Sequence, residues 1–135
     1  MKLIKVMKTN KEVGRWGEEI AAAYLKRKGY SIVDRNFYTP VGEIDLIAFQ
    51  EVNEEGILVF VEVKTRTSEK YGFPEEAVTR KKWDHMLKAI DRYLQDQPEY
   101  GDAWQVDVIA VQKLCASKPP DIEHFENVVM NNDRE

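Results

Sequence analysis

Glu62 and Lys64 stand two residues apart at the C-terminal end of an apolar run, Ile57 to Lys64. In a strand that spacing puts both side chains on one face. Ahead of them, Ile57, Val59 and Val61 occupy one side and Leu58 and Phe60 the other, the pattern of a central strand covered on both faces. One segment earlier the arrangement repeats, with Glu43 and Asp45 on one face and Ile44, Leu46 and Ala48 on the other. Unpaired carboxylates are costly to bury, so two such strands side by side call for a compensating cation. If the strands pair, Asp45 and Glu62 converge on one divalent ion, and hard oxygen ligands of this kind suit Mg2+ or Mn2+. Such an ion acidifies a bound water and neutralises charge building on a phosphate oxygen. Lys64 would orient that water or stabilise the pentavalent phosphorus species. The plainer alternatives are a solvated strand end finishing in charges and an ion pair between Glu62 and Lys64 within the sheet.

Glu18 is the candidate from outside the strands. In helical projection it aligns with Gly14, Ala21 and Leu25 on the inward margin of the first helix, whereas Glu19 aligns with Glu12, Arg15 and Lys26 on the wet face. Arg66 follows the central strand and can hold a phosphate by a bidentate pair. Arg80, Lys81 and Lys82 form a basic run in the second helix, offering phosphate contacts or simply a solvated face. Tyr71, Gly72 and Phe73 read as a loop. Asp107 reads as a structural carboxylate at a sheet end more readily than as a further site acid. His85 and His124 are isolated in the sequence, and Trp16, Trp83 and Trp104 read as core or interface aromatics.

Two helices and four or five strands must position these groups. The first helix runs from a cap at or beside Asn10 to about Lys28 and stops at Gly29. Val13, Ile20, Ala23 and Tyr24 form its apolar side, with Ala21 and Leu25 widening the stripe. The second begins near Pro74, with Glu75 and Glu76 in its first turn, and ends before Pro98. Strands are expected at Tyr30 to Phe37, Glu43 to Phe49, Ile57 to Lys64 and Trp104 to Val111, with a further one at Ile122 to Phe125. Pro40 and Gly42, Asn53 to Gly56, and Gly101 and Asp102 supply the turns. Short loops suit hairpins among the first three strands, and the long second helix suits a crossover. The expected fold is α/β, a mixed sheet of four to five strands flanked by helices.

The chain has 135 residues, 43% hydrophobic and 33% charged, which fits one globular domain with a compact part at about residues 10–126. A net charge of −4 excludes a broadly basic surface, so any nucleic-acid contact must use a local patch. Cys115, the sole cysteine, excludes an intrachain disulfide and a cysteine-rich zinc site. The apolar runs Ile20 to Leu25 and Ile57 to Val61 are too short to span a bilayer. Lys2, Lys5, Lys8 and Lys11 interrupt the N-terminus, unlike a secretory signal, so a cytoplasmic location is expected.

Taken together, Gly42 to Ala48 (Gly-Glu-Ile-Asp-Leu-Ile-Ala) and Val59 to Arg66 (Val-Phe-Val-Glu-Val-Lys-Thr-Arg) resemble the YraN-like family of uncharacterised bacterial proteins. Gly14, Gly17, Glu18, Tyr71-Gly72, Ala77-Val78, Lys82 and the strand around Asp107 match it as well, so the resemblance covers roughly Gly14 to Val111. That family resembles the restriction-endonuclease-like nucleases of the PD-(D/E)xK type, including archaeal Holliday-junction resolvases. The resemblance implies a restriction-endonuclease-like mixed sheet in which Asp45 and Glu62 are metal-binding acids and Lys64 the motif lysine. It also implies that Glu18 is the helix glutamate completing the site. The implied activity is Mg2+-dependent (or Mn2+-dependent) hydrolysis of DNA, with branched or structured DNA as the expected substrate and a homodimer suited to symmetric cutting. Two positions depart from the family's tendency: Trp83-Asp84-His85 replace a basic cluster after Lys82, and Gln105 stands where Arg is common. Those losses of positive charge favour the alternative, a non-catalytic nucleic-acid-binding or scaffolding module on the same fold.

Overall fold

A computed structural model describes residues 10–67, 79–100, 102–113 and 118–130. The first helix, α1, spans Asn10–Arg27. It closes as the glycine predicts: Gly29 has φ +98°, its N–H bonds Lys26, and the Tyr30 N–H bonds Leu25, each at 3.0 Å. This is a Schellman ending, which turns the chain back toward the sheet. The capping contact at its start lies outside the described residues. Ala21, Ala22 and Leu25 are its buried residues beside Gly17. Ala23, expected on the apolar side, is exposed. At about 100° per residue it lies roughly opposite Ala21, while Gly17, Ala21 and Leu25 stack at intervals of four.

Three antiparallel strands follow, β1 (Ser31–Thr39), β2 (Gly42–Val52) and β3 (Glu55–Arg66). Pro40 and Val41 make the first turn, where the Thr39 hydroxyl accepts from the Val41 and Gly42 amides and donates to the Gly42 carbonyl. Asn53 and Glu54 make the second, both with positive φ, the two-residue hairpin geometry whose twist matches the strands. Gly56, expected in that turn, is instead a strand residue: a Cβ there would meet the Phe49 ring at 2.1 Å. The helix α2 (Arg80–Asp96) comes next, then a single 3-10 turn at Pro98–Tyr100. β4 (Trp104–Gln112) then pairs parallel with β3, and β5 (Asp121–Phe125) closes antiparallel on β4. The sheet order is β1-β2-β3-β4-β5, with β3 in the middle.

α2 starts later than expected. Thr79 is extended (φ −82°, ψ 164°) and its side chain accepts the Lys82 N–H, so it is the N-cap and the helix begins at Arg80 rather than near Pro74. Pro74, Glu75, Glu76 and Val78 lie outside the described residues, as do the Tyr71 to Phe73 loop, Cys115 and the C-terminal tail.

Each sheet face buries its own core. Leu46, Ala48, Val59, Val61, Ile109 and Val111 pack with Ala21, Ala22 and Leu25 of α1. On the other face Ile44, Ile47, Leu58, Phe60 and Val106 pack with Trp83, Met86, Ala89, Ile90 and Tyr93 of α2. β3 contributes alternately to both, as its sequence predicts. β2 does not alternate throughout: Ile44 joins the α2 side although Leu46 and Ala48 face α1, contrary to the single face expected for the three. The physical reason lies beside Asp45. Asn36, with φ 52°, sits on β1 between the Arg35↔Leu46 and Phe37↔Ile44 pairs, and this left-handed residue marks the break in regular strand geometry.

Candidate functional site

Pairing between β2 and β3 ends at Leu46↔Val61. One step beyond it, the Asp45 carboxylate accepts the Val63 N–H at 2.8 Å, taking an amide that a continued ladder would give to a β2 carbonyl. Asp45 is thereby fixed next to the β3 residues that follow Val61. Glu62 is only 4% exposed, and its Oε2 receives two ammonium groups, Lys64 at 3.1 Å and Lys82 at 2.9 Å. Lys64 is buried as well, whereas Lys82 reaches in from the first turn of α2 with its side chain 46% exposed.

The carboxylates strain one another. Burial, then the Glu62 charge, push the Asp45 carboxyl up to about 7 against the Val63 hydrogen bond, with Glu18 adding to the rise and Lys82 opposing it. Burial also raises Glu18, an Asn36 side-chain hydrogen bond counters it, and the Glu43 and Glu62 charges raise it further. Loss of water around Lys64 lowers its pKa despite Glu62. For Lys82 the same desolvation is outweighed by Glu62, and its pKa lies above the ordinary lysine value. Glu18, Glu43, Asp45 and Glu62 therefore share one electrostatic neighbourhood with Lys64 and Lys82.

Among the described residues no three His, Cys, Asp or Glu side chains form a metal-holding group. Mg2+ keeps several waters and is commonly held by one or two carboxylates, so Asp45 and Glu62 alone suit its protein share. A cation there would oppose both the burial and the Glu62 charge that raise the Asp45 carboxyl.

Two clefts flank these residues. One of about 320 Å³ lies between the β1–β2 hairpin and α2, lined by Tyr38, Thr39, Glu43, Glu62, Lys82 and His85. Gly42 permits its tight closure, since a Cβ there would meet the His85 carbonyl oxygen at 2.3 Å. The other, of about 410 Å³, lies along α1 and the end of β3, with Gly14, Lys64, Thr65 and Arg66 in its wall. Arg66 donates to the Thr65 carbonyl at 2.9 Å. Lys81 is exposed on α2, and the structure does not bring it to Glu62 as it does Lys82.

The sequence offers Lys82 as a phosphate contact or part of a solvated face, not as a partner of Glu62, and does not single out Asn36. The usable signals were the Thr79 cap, which starts α2 just before Lys82, and an asparagine within a strand, a residue tolerant of positive φ. In the sequence His124 is isolated. His124 instead lies on the α1 side of the sheet, bonding the fully buried Asp107 at 2.6 Å through Nε2 and the Tyr24 hydroxyl at 3.1 Å through Nδ1. Asp107 further accepts from Gln105 and from the Asn127 amide, so it is a structural carboxylate in the interior of β4, not at a sheet end. Trp83 is core, as expected, and Trp104 is 40% exposed and stands T-shaped against Phe60.

A mixed five-stranded sheet with a helix on each face places the chain among α/β proteins that carry an acid–lysine cluster where two central strands part. More specifically, the model of the uncharacterised protein family UPF0102 matches residues 17–111, and the chain belongs to that family. A UPF0102 protein of Syntrophomonas wolfei is 47% identical over 118 residues, covering 87% of this chain and 97% of the relative. UPF0102 proteins of Alkaliphilus oremlandii (44% identical, covering 87% of this chain and 97% of the relative) and Syntrophotalea carbinolica (43%, covering 84% and 87%) are similar as well. This family is the YraN-like one that the motifs resemble. Among the described residues no helix is long and apolar enough to cross a membrane.

Proposed function

We propose that the protein is a Mg2+- or Mn2+-dependent endonuclease that hydrolyses phosphodiester bonds in DNA, on branched or otherwise structured substrates. The observation that carries this reading is the pair of acids where β2 and β3 part, half-buried Asp45 and buried Glu62, with the Lys64 ammonium 3.1 Å from Glu62. Asp45 and Glu62 would hold the ion, with Glu18 contributing from α1. The bound ion would supply an acidified water and neutralise charge on the scissile phosphate. Lys64, fixed by Glu62 and low in pKa, can hold the attacking water by a hydrogen bond and stabilise negative charge on phosphorus oxygens. Asn36 is a positioning residue, since its hydrogen bond restrains the Glu18 carboxylate. Arg66 and the Lys81–Lys82 pair are the local cations proposed to meet the backbone of DNA, as a chain of net charge −4 requires. Asp45→Ala and Lys64→Ala are expected to remain folded and lose cleavage of junction and flap substrates. Undiminished cleavage by either contradicts the assignment.

Two ammonium groups already meeting Glu62 favour a second reading, a non-catalytic nucleic-acid-binding module on this fold. Such a module would shift DNA in a binding assay while leaving it intact, with and without Mg2+.

A further inference from the structure

The two lysines on Glu62 are not equivalent. Lys64 is held within β3, its side chain 8% exposed, and withdrawing its ammonium from Glu62 would strand a buried charge. Lys82 is 46% exposed at 2.9 Å from the same Oε2, and its stem opens onto the cleft between the β1–β2 hairpin and α2. It can swing away while its ammonium stays hydrated, because a long aliphatic stem permits that movement at little cost in burial. Its hold on Glu62 also works against the helix dipole, which disfavours a cation in the first turn.

We infer that Lys82 is an exchangeable counter-ion of Glu62: a divalent ion arriving at Asp45 and Glu62 displaces its ammonium into the cleft, where it takes a phosphate oxygen of the substrate. This rests on the metal-dependent reading above and adds a coupling to it. Both ammonium groups sit on Glu62 Oε2, so a divalent ion that takes this oxygen displaces one of them, and Lys82 is the one exposed enough to leave. Metal and phosphate then assist each other, because each stabilises the arrangement that the other needs, and such linkage is reciprocal.

The test combines calorimetry with Mn2+ and fluorescence anisotropy with a labelled, phosphorothioate-linked DNA duplex. The proteins compared are wild type, Lys82→Gln, Lys82→Arg and Asp45→Ala. Wild type is expected to bind Mn2+ and Asp45→Ala to fail. Lys82→Gln should bind Mn2+ about fivefold more tightly without DNA, the scale of losing one partly exposed ion pair. It should lose the gain in DNA affinity that saturating Mn2+ gives wild type, and its salt dependence should fall by about one unit of slope. Lys82→Arg, which keeps the charge, should follow wild type. Unchanged or weaker Mn2+ binding by a folded Lys82→Gln overturns the exchange and leaves the Asp45–Glu62 metal site standing. Full retention of Mn2+-enhanced DNA binding in Lys82→Gln overturns the phosphate role. Absence of Mn2+ binding by wild type overturns both the exchange and the metal-dependent reading.

Discussion

Asp45 shows how a single residue links stability to chemistry. Its carboxyl stands at about 7 in the folded chain against an ordinary value of 3.8. A carboxyl raised in the folded state binds its proton more tightly there than when unfolded. Its favourable contribution is thus complete below 3.8, declines as pH rises from there, and is gone once pH passes about 7. Asp45→Asn removes the charge and keeps an oxygen for the Val63 amide, so it should raise the melting temperature relative to wild type at pH 8 and not at pH 4 when no divalent ion is present. Equal destabilisation at both pH values contradicts this account. On β5, His124→Ala deprives a fully buried Asp107 of its closest partner and should destabilise by about 3 kcal/mol in urea unfolding. A loss within a few tenths of a kcal/mol would mean that Gln105 and Asn127 satisfy Asp107 without it.

At the scale of elements, α1 reaches the site because Gly17 lets it lie against the end of β3. A Cβ on Gly17 would stand 1.9 Å from the Thr65 hydroxyl oxygen and 2.9 Å from its Cβ. Gly17→Ala should therefore push α1 away from β3 and destabilise by about 1–3 kcal/mol, with Thr65→Ala relieving part of the loss. Because Glu18 is the next residue, the same substitution should also weaken divalent-ion binding, which calorimetry would read directly. α2 depends on its cap: Thr79→Ala should cost about 1 kcal/mol by freeing the Lys82 amide, as measured by chemical denaturation.

For the molecule as a whole, much of the architecture is legible from periodicity. The run Ile57 to Lys64 declares a strand covered on both sides and ending in Glu62 and Lys64, and β3 is the middle strand of the sheet. Gly29 declares the end of α1 because only a backbone at positive φ turns there. Tertiary geometry decided the rest. The alternating pattern of β2 could not reveal that Ile44 changes sides, because the break involves Asn36 on another strand. Pro74, Glu75 and Glu76 have the chemistry of a helix start, yet Thr79 is extended and is the N-cap of α2. Lys82 meets Glu62, and His124 meets Asp107, only after the chain folds, across separations that no local pattern spans. Asp45 and Lys64 needed only strand periodicity to be singled out, while Glu18 needed helical projection. The acidic net charge of −4 adds a global consequence for the proposed function: DNA binding would have to come from the local lysines and a bound ion, and would then weaken steeply with salt. The most direct test of the central claim is calorimetric titration of Mg2+ or Mn2+ into wild type and into the doubly substituted Asp45→Ala, Glu62→Ala protein. The account predicts saturable binding to wild type that disappears in the substituted protein. Absence of binding to wild type, with DNA present or not, would contradict it.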